Sequence, residues 1–355
     1  MCCATPSGIA NIREISEKLR LRLTGEEKEK LKKKYTASTD AYQLYLKGRY
    51  GWQKRTEEGL RQSVEFFEQA IEKDPAYALA YAGLADSYAV MPSYSILPPA
   101  EGFPKARAAA HKALEIDEGL APAHATLGLA LAEYDFDWAA SEAEFKRSIE
   151  LDPGYATAHH WYALMLAALA RFDEAMSQID RARELDPFSA IIQTNTFRIL
   201  LYARQLDRAI EVGRKVVESN PGFGVGHNFL GSAYAAKKMT GEAIAEYQKA
   251  ADLLGQTPMG LHNLGRARAL AGRRAEALQV IEEFKALATR RYVTPSYVAM
   301  IYNYLGDKSA ALDWWEKACE DRGLEVTLLK VDPTQDDLRG DPRYAEILRK
   351  VKLAP

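Results

Sequence analysis

The amino-acid sequence predicts an all-α protein, a right-handed superhelical solenoid of about eight helix pairs with a helical lead-in before it and a capping helix after it. Three observations carry this expectation. Pro153, Pro187 and Pro221 follow one another at intervals of 34 residues, each preceded by Asp or Asn. Alanine stands at 175, 209, 243, 277 and 311, at the same interval. Each 34-residue unit breaks its helical pattern once near the middle and once near the end, which describes two short antiparallel helices per unit.

The elements follow in chain order. Ile12, Ile15, Leu19 and Leu23 lie at helical spacing, and Thr24 with Glu27 forms a capping-box pattern opening a charged helix from Gly25 to Tyr35. This lead-in spans residues 1–36. The solenoid spans 37–323. Its first unit contains Ser63, Phe67 and Ala70 before Pro75, and the stretch from Gly48 to Ser63 is three residues longer than the regular spacing. In the second unit Tyr81, Leu84, Ala85 and Tyr88 are separated from Ala106, Ala110 and Ala113 by a proline-rich loop, Met91 to Pro104. The third runs through Leu127, Gly128, Ser141, Phe145 and Ser148, with one extra residue.

Five units in strict register complete the array. The recurring alanines predict close helix crossings where only a methyl group fits, with Ala163, Gly231, Gly265 and Ala299 as the small residues opposite. Tyr162, Leu230, Leu264, Ile179, Tyr247, Ile281 and Trp315 fill the space around them. Phe197 and Gly213 depart from the pattern as a pair, a bulky and a small residue having changed places, so volume is moved rather than lost. The helix positions put His227 and His262 near the starts of first helices, alongside Gln193. Residues 324–355, with Pro333 and Pro342 before a final helix, form the expected cap over the last apolar face.

Composition narrows the function. Acidic and basic residues nearly cancel at a net charge of −2, which points away from nucleic acid and anionic membranes as partners. The longest apolar stretch, Trp161 to Ala170, is too short to span a bilayer, and residues 1–8 lack the apolar core of a signal peptide, so a cytoplasmic chain is expected. The three cysteines, Cys2, Cys3 and Cys319, have no metal-site or disulfide spacing. His159 and His160 are adjacent and diverge by about 100° on a helix, so they cannot share one metal. Glu282–Glu283 and Asp336–Asp337 read as solvated neighbours, and Asp137 as a helix cap. Trp315 fits a core position and Trp314 a surface one. No catalytic set, metal site or cofactor site is expected.

The concave face, lined by the first helices, is the expected partner site. It offers Asn195 and Arg198, Asn228 and Ser232, then His262, Asn263 and Arg266, a polar and mildly basic strip whose amide and guanidinium donors suit a peptide backbone or a carboxylate. Ala125, Leu129, His160 and Leu164 make a more apolar stretch before it. The expected partner is a protein or peptide.

These residues resemble the tetratricopeptide pattern, most closely in Leu230-Gly231-Ser232-Ala233-Tyr234 followed by Ala243, Tyr247 and Ala250, and the resemblance covers about four-fifths of the chain. It implies a non-enzymatic interaction scaffold. The lysine clamp with which tetratricopeptide co-chaperones hold chaperone tails is missing. The segments KLRLRLTGEEKEKLKKKYTASTDAYQLYLKGRY and LLKVDPTQDDLRGDPRYAEILRKVKL resemble the C-terminal half of bacterial multidomain signalling proteins. There a winged-helix, Ser/Thr-kinase or cyclase head precedes a TolB-like domain and a tetratricopeptide array. No Gly-rich phosphate loop, kinase catalytic loop or recognition-helix unit is present here. The alternative reading is thus the truncated regulatory half of such a kinase, cyclase or winged-helix regulator.

Overall fold

A computed structural model describes residues 36–353. The expected lead-in helices, the Thr24–Glu27 capping box and the Cys2–Cys3 pair lie outside the described residues. From Ser38 onward the chain forms one compact unit. Its first helix pair is α1 (Thr39–Gln53) with α2 (Glu57–Lys73), and the second is α3 (Ala78–Val90) with α4 (Pro99–Ile116). Next come α5 (Ala121–Ala130) with α6 (Trp138–Leu151), α7 (Ala156–Ala168) with α8 (Phe172–Leu185), and α9 (Ala190–Tyr202) with α10 (Leu206–Ser219). The array closes with α11 (Gly224–Ala236) and α12 (Thr240–Leu254), α13 (Pro258–Leu270) and α14 (Arg274–Ala288), and α15 (Pro295–Tyr304) with α16 (Lys308–Glu320). The eight expected pairs are all present.

Local chemistry explains the boundaries. Ser38, Thr56, Asp137, Thr257 and Asp307 each cap a helix by accepting a hydrogen bond from a backbone N–H three residues on. Asp152, Asp186 and Asn220 end α6, α8 and α10, and the proline after each holds that residue out of helical geometry. Between first and second helices the chain turns through one left-handed residue, at Ala170, Arg204, Lys238, Gly272 and Gly306. These keep the 34-residue step. At the entry to the first helices, side chains of His159, Gln193 and His227 bond the carbonyl oxygens of Pro153, Pro187 and Pro221, six residues back. The same contact thus sets each pair against the preceding turn.

Packing confirms the register. Ala175, Ala209, Ala243, Ala277 and Ala311 are wholly buried. A methyl group added at Gly231 would stand 2.6 Å from the Tyr247 ring, so the glycine's closest neighbour is the aromatic one turn past Ala243 rather than the alanine. In the fifth pair the same contact is inverted: Phe197 fills the glycine position, and a methyl group added at Gly213 would stand 3.3 Å from its ring. At the N-terminal end Asp86 accepts from Arg49, Thr126 and Tyr155, tying the first four pairs together through one buried carboxylate.

Two insertions are absorbed locally. The expected loop Met91–Pro104 is shorter than anticipated, because Pro99 starts α4 and Pro104 lies inside it. Proline at the first helical position costs no hydrogen bond, buried Gly102 lets that turn approach Pro92, and buried Phe103 packs on Tyr134. The extra residue of the third pair is taken up by a π-helical turn, Leu131–Asp135, followed by Phe136 in left-handed geometry.

The C-terminal segment does more than cap. Its helix α17 (Pro342–Lys350) packs Tyr344 and Ile347 with Ala311, Leu312 and Trp315 of α16, as expected of a cap. Before it, two 3₁₀ turns, Leu324–Leu328 and Pro333–Leu338, run into the concave face. There Leu328 and Val331 join Phe197, Leu200, Tyr234 and Ala267, and Asn303 Nδ2 donates to the Thr334 carbonyl at 2.9 Å. The far end reaches the third pair, where Trp138 Nε1 donates to the Val351 carbonyl at 3.1 Å and Phe136 packs in one cluster with Leu353. The superhelix also closes on itself: Arg291, before α15, bonds Glu57 of α2 at 2.8 Å and the Ser95 carbonyl at 3.1 Å.

Replacing Ala243 with Leu should overpack the α11–α12 crossing and lower stability by about 1–3 kcal/mol in urea unfolding. An unchanged unfolding midpoint would contradict the packing register.

Candidate functional site

Closure of the superhelix and entry of the tail leave a chamber of about 160 Å³ on the axis of the array. Its wall draws on the first helices α7, α9, α11, α13 and α15, the π turn, and the tail residues Leu324, Glu325, Leu328 and Asp332. Of the seven residues expected on the concave face, Asn195, Arg198, Asn228, Ser232, His262 and Arg266 line this chamber, and Asn263 accepts a hydrogen bond from Arg266. The structure therefore brings all seven together. It also buries them, Arg198 partly and the others almost completely, rather than leaving them on an open groove. The cause is long-range: residues 324–353 occupy the space in front of the strip.

Each side chain is held by its neighbours along the array. Arg266 bonds Asn228, Asn263 and Ser232, and its guanidinium lies 3.8 Å over the Tyr247 ring. Arg198 donates from Nε to the Tyr202 hydroxyl at 2.8 Å and from Nη1 to Asn195 at 3.3 Å, and stacks on Phe229. The Asn195 amide meets His160 Nε2 at 2.7 Å. The His262 ring stacks on Tyr297 with centroids 4.4 Å apart. Residues not anticipated from sequence complete the wall: Arg55, stacked on Trp52, and Glu133, Glu325 and Asp332. Their only sequence signal was the extra residue in the third pair, which becomes the π turn carrying Glu133.

Burial dominates the electrostatics. It pushes the Glu133 carboxyl up to about 8, against the opposing pull of Arg198, and it raises Glu325 and Asp332 as well. It lowers His160 to about 3, helped by Arg55 and Arg198, and takes His262 well below the ordinary imidazole value, helped by Arg266. Both imidazoles are neutral at pH 7. Among the described residues, no group of three His, Cys, Asp or Glu side chains could hold a metal, and no helix is long and apolar enough to cross a membrane.

Paired antiparallel helices at a constant step, with first helices facing inward, define a helical-repeat protein. Residues 137–190 and 194–258 match the family model of the tetratricopeptide repeat, so this part of the chain consists of tetratricopeptide repeats. It is 26% identical over 188 residues, 52% of its length, to the transcriptional regulator HilA of Salmonella typhimurium. The match covers 34% of that regulator, so the chain spans about a third of the length of the curated relatives it matches. Among solved structures, yeast Tom70 is similar at a TM-score of 0.51 and 17% identity, over 89% of this chain and 68% of that one. The human IFIT1 dimer with m7Gppp-AAAA is similar at 0.58 and 15% identity, over 88% and 76%. At these identities the likeness is one of fold.

The buried acid makes stability depend on pH. Between about 4.5, its ordinary value, and 8, the folded chain keeps a proton on Glu133 that the unfolded chain releases, so stability falls as pH rises through that window. The imidazoles act oppositely, costing stability as pH falls below 6.5. The melting temperature should thus decline from about pH 6.5 to 8, and Glu133→Gln should flatten part of that decline. Identical slopes in both proteins would contradict a buried, protonated Glu133.

Proposed function

We propose that the chain is a non-catalytic protein-interaction module whose concave face recognises a peptide or protein segment. The observation that supports this reading most is that the face already holds a short segment, the chain's own residues 324–341 in two 3₁₀ turns, with apolar seats for Leu328 and Val331 and a hydrogen bond from Asn303 to a backbone carbonyl. A face built this way accepts a short segment by a side-chain donor to its backbone and apolar seats for its side chains. Arg198 and Arg266 would then receive a partner's backbone or carboxylate once the tail has moved aside. The partner competes against a tethered rival, whose effective concentration is on the order of millimolar.

A second reading places the module in a larger setting, as the regulatory half of a bacterial transcriptional regulator or related signalling protein working in the cytoplasm. The likeness to HilA favours it, since that protein is a transcriptional regulator. In this setting the array supplies interaction and a separate head supplies the output.

Affinity capture with three forms of the chain tests the concave-face reading. The double variant Leu328→Asp, Val331→Asp weakens the tail's seat and should retain a partner several-fold better than the unaltered chain. Adding Arg198→Ala and Arg266→Ala should abolish the gain while the array stays helical. Equal capture by all forms would move the partner away from this strip, to a surface such as the one where Tyr42, Leu46 and Tyr50 stand exposed at four-residue spacing on α1.

A further inference from the structure

The chamber is a built polar site without enough partners for its own polar atoms. Among the described residues, eight buried side-chain nitrogen or oxygen atoms have no hydrogen-bond partner, and four of them belong to chamber residues: Arg55 Nε, Glu133 Oε2, His262 Nδ1 and Arg266 Nε. Buried polar atoms are almost always paired, so four orphans around one cavity call for an occupant. Arg55, His262 and Arg266 are each more than nine-tenths buried. None of Arg55, Arg198 and Arg266 forms an ion pair with a described residue, although all three lie at the wall of one space.

The charge is unbalanced in a particular direction. The guanidinium groups remain cationic at every working pH. Burial raises the three carboxyls on the same wall, Glu133 up to about 8, and Glu133, protonated at neutral pH, does not neutralise its neighbours. The remaining wall is apolar and aromatic, with Trp161, Met165, Phe229 and Met300 among it. A cavity of about 150 Å³ accommodates benzene, so a space of 160 Å³ takes a body of that size.

We propose that the chamber is a ligand site for a small organic acid, its carboxylate held by Arg198 with Arg55 or Arg266 beside it, and its apolar body packed among Trp161, Met165 and Phe229. Arg198 is the anchor because its Nη2 bonds no other described residue, whereas Nε and Nη1 are already fixed by Tyr202 and Asn195. A guanidinium so held is pre-organised for a carboxylate. The ligand sits with the tail in place, between the solenoid and Leu324, Glu325 and Leu328, so it binds the closed form and favours it. The site does not rest on the partner reading above, and needs no second protein.

The test is calorimetric titration and thermal melting of the full chain at pH 6.5 with benzoate, phenylacetate and hexanoate. Benzamide and benzyl alcohol serve as neutral analogues and acetate as a head-group control. At least one of the larger acids should bind one to one, raise the melting temperature, and bind at least tenfold more tightly than benzamide and acetate. Arg198→Met should weaken that binding at least tenfold. Leu164→Trp, which fills the chamber without touching its charges, should weaken it as well while the chain remains folded. Absence of binding by all three acids, equal binding of benzamide, or an Arg198→Met variant that binds as before would overturn the proposal and leave a chamber filled by water alone.

Discussion

Helix pairs in a linear array bury apolar surface only against their neighbours, and that constraint governs everything else in this molecule. Eight pairs leave one concave face and, at the C-terminal end, one terminal face without a neighbour. The tail meets both needs at once. Its helix covers α16, where Val326, Leu329, Leu338 and Tyr344 are as buried as any residue of the repeats, and its two short 3₁₀ turns enter the concave face, where Leu328 and Val331 are buried. Fully burying one such side chain is worth about 1.5–3 kcal/mol before ordering entropy is set against it. Several together hold a segment that local hydrogen bonding alone would leave frayed.

Filling the concave face has an electrostatic consequence. Residues that would be solvated on an open groove become wall groups of a partly enclosed space, and their ionisation changes accordingly. Neutral imidazoles and a protonated Glu133 are the low-cost forms there. Arginine has no neutral form available, so its charge persists and is spread over amides, hydroxyls and aromatic faces: Asn228, Ser232 and Tyr247 for Arg266, Asn195, Tyr202 and Phe229 for Arg198. That leaves cationic groups in an amphipathic cavity, which is the physical basis for expecting an acid there.

Much of the array was legible in the residues because its logic is local. The 34-residue step, the alanine crossings and the compensated Phe197–Gly213 exchange depend on contacts between adjacent helices, and each leaves a mark at fixed spacing. The left-handed turns were not anticipated: glycine stands at two of them, Gly272 and Gly306, whereas Ala170, Arg204 and Lys238 adopt the same geometry with no composition signal. The single inserted residue was countable, but its conversion into a π turn bearing Glu133 was not. The inward strip was found by position within the first helices, yet its burial was not foreseeable. It depends on pairings such as Trp138 with Val351 and Arg291 with Glu57, more than two hundred residues apart, and no local pattern encodes them.

Amide hydrogen exchange of the full chain tests most directly whether the tail belongs to the core. If residues 324–351 close the concave face, the N–H groups of Val331, Leu329 and Leu353, which bond Leu328, Val326 and Leu348, should exchange orders of magnitude more slowly than an unstructured peptide, alongside those of α9 and α11. Exchange of the tail at unstructured rates, with the helices still protected, would mean an open groove and no chamber.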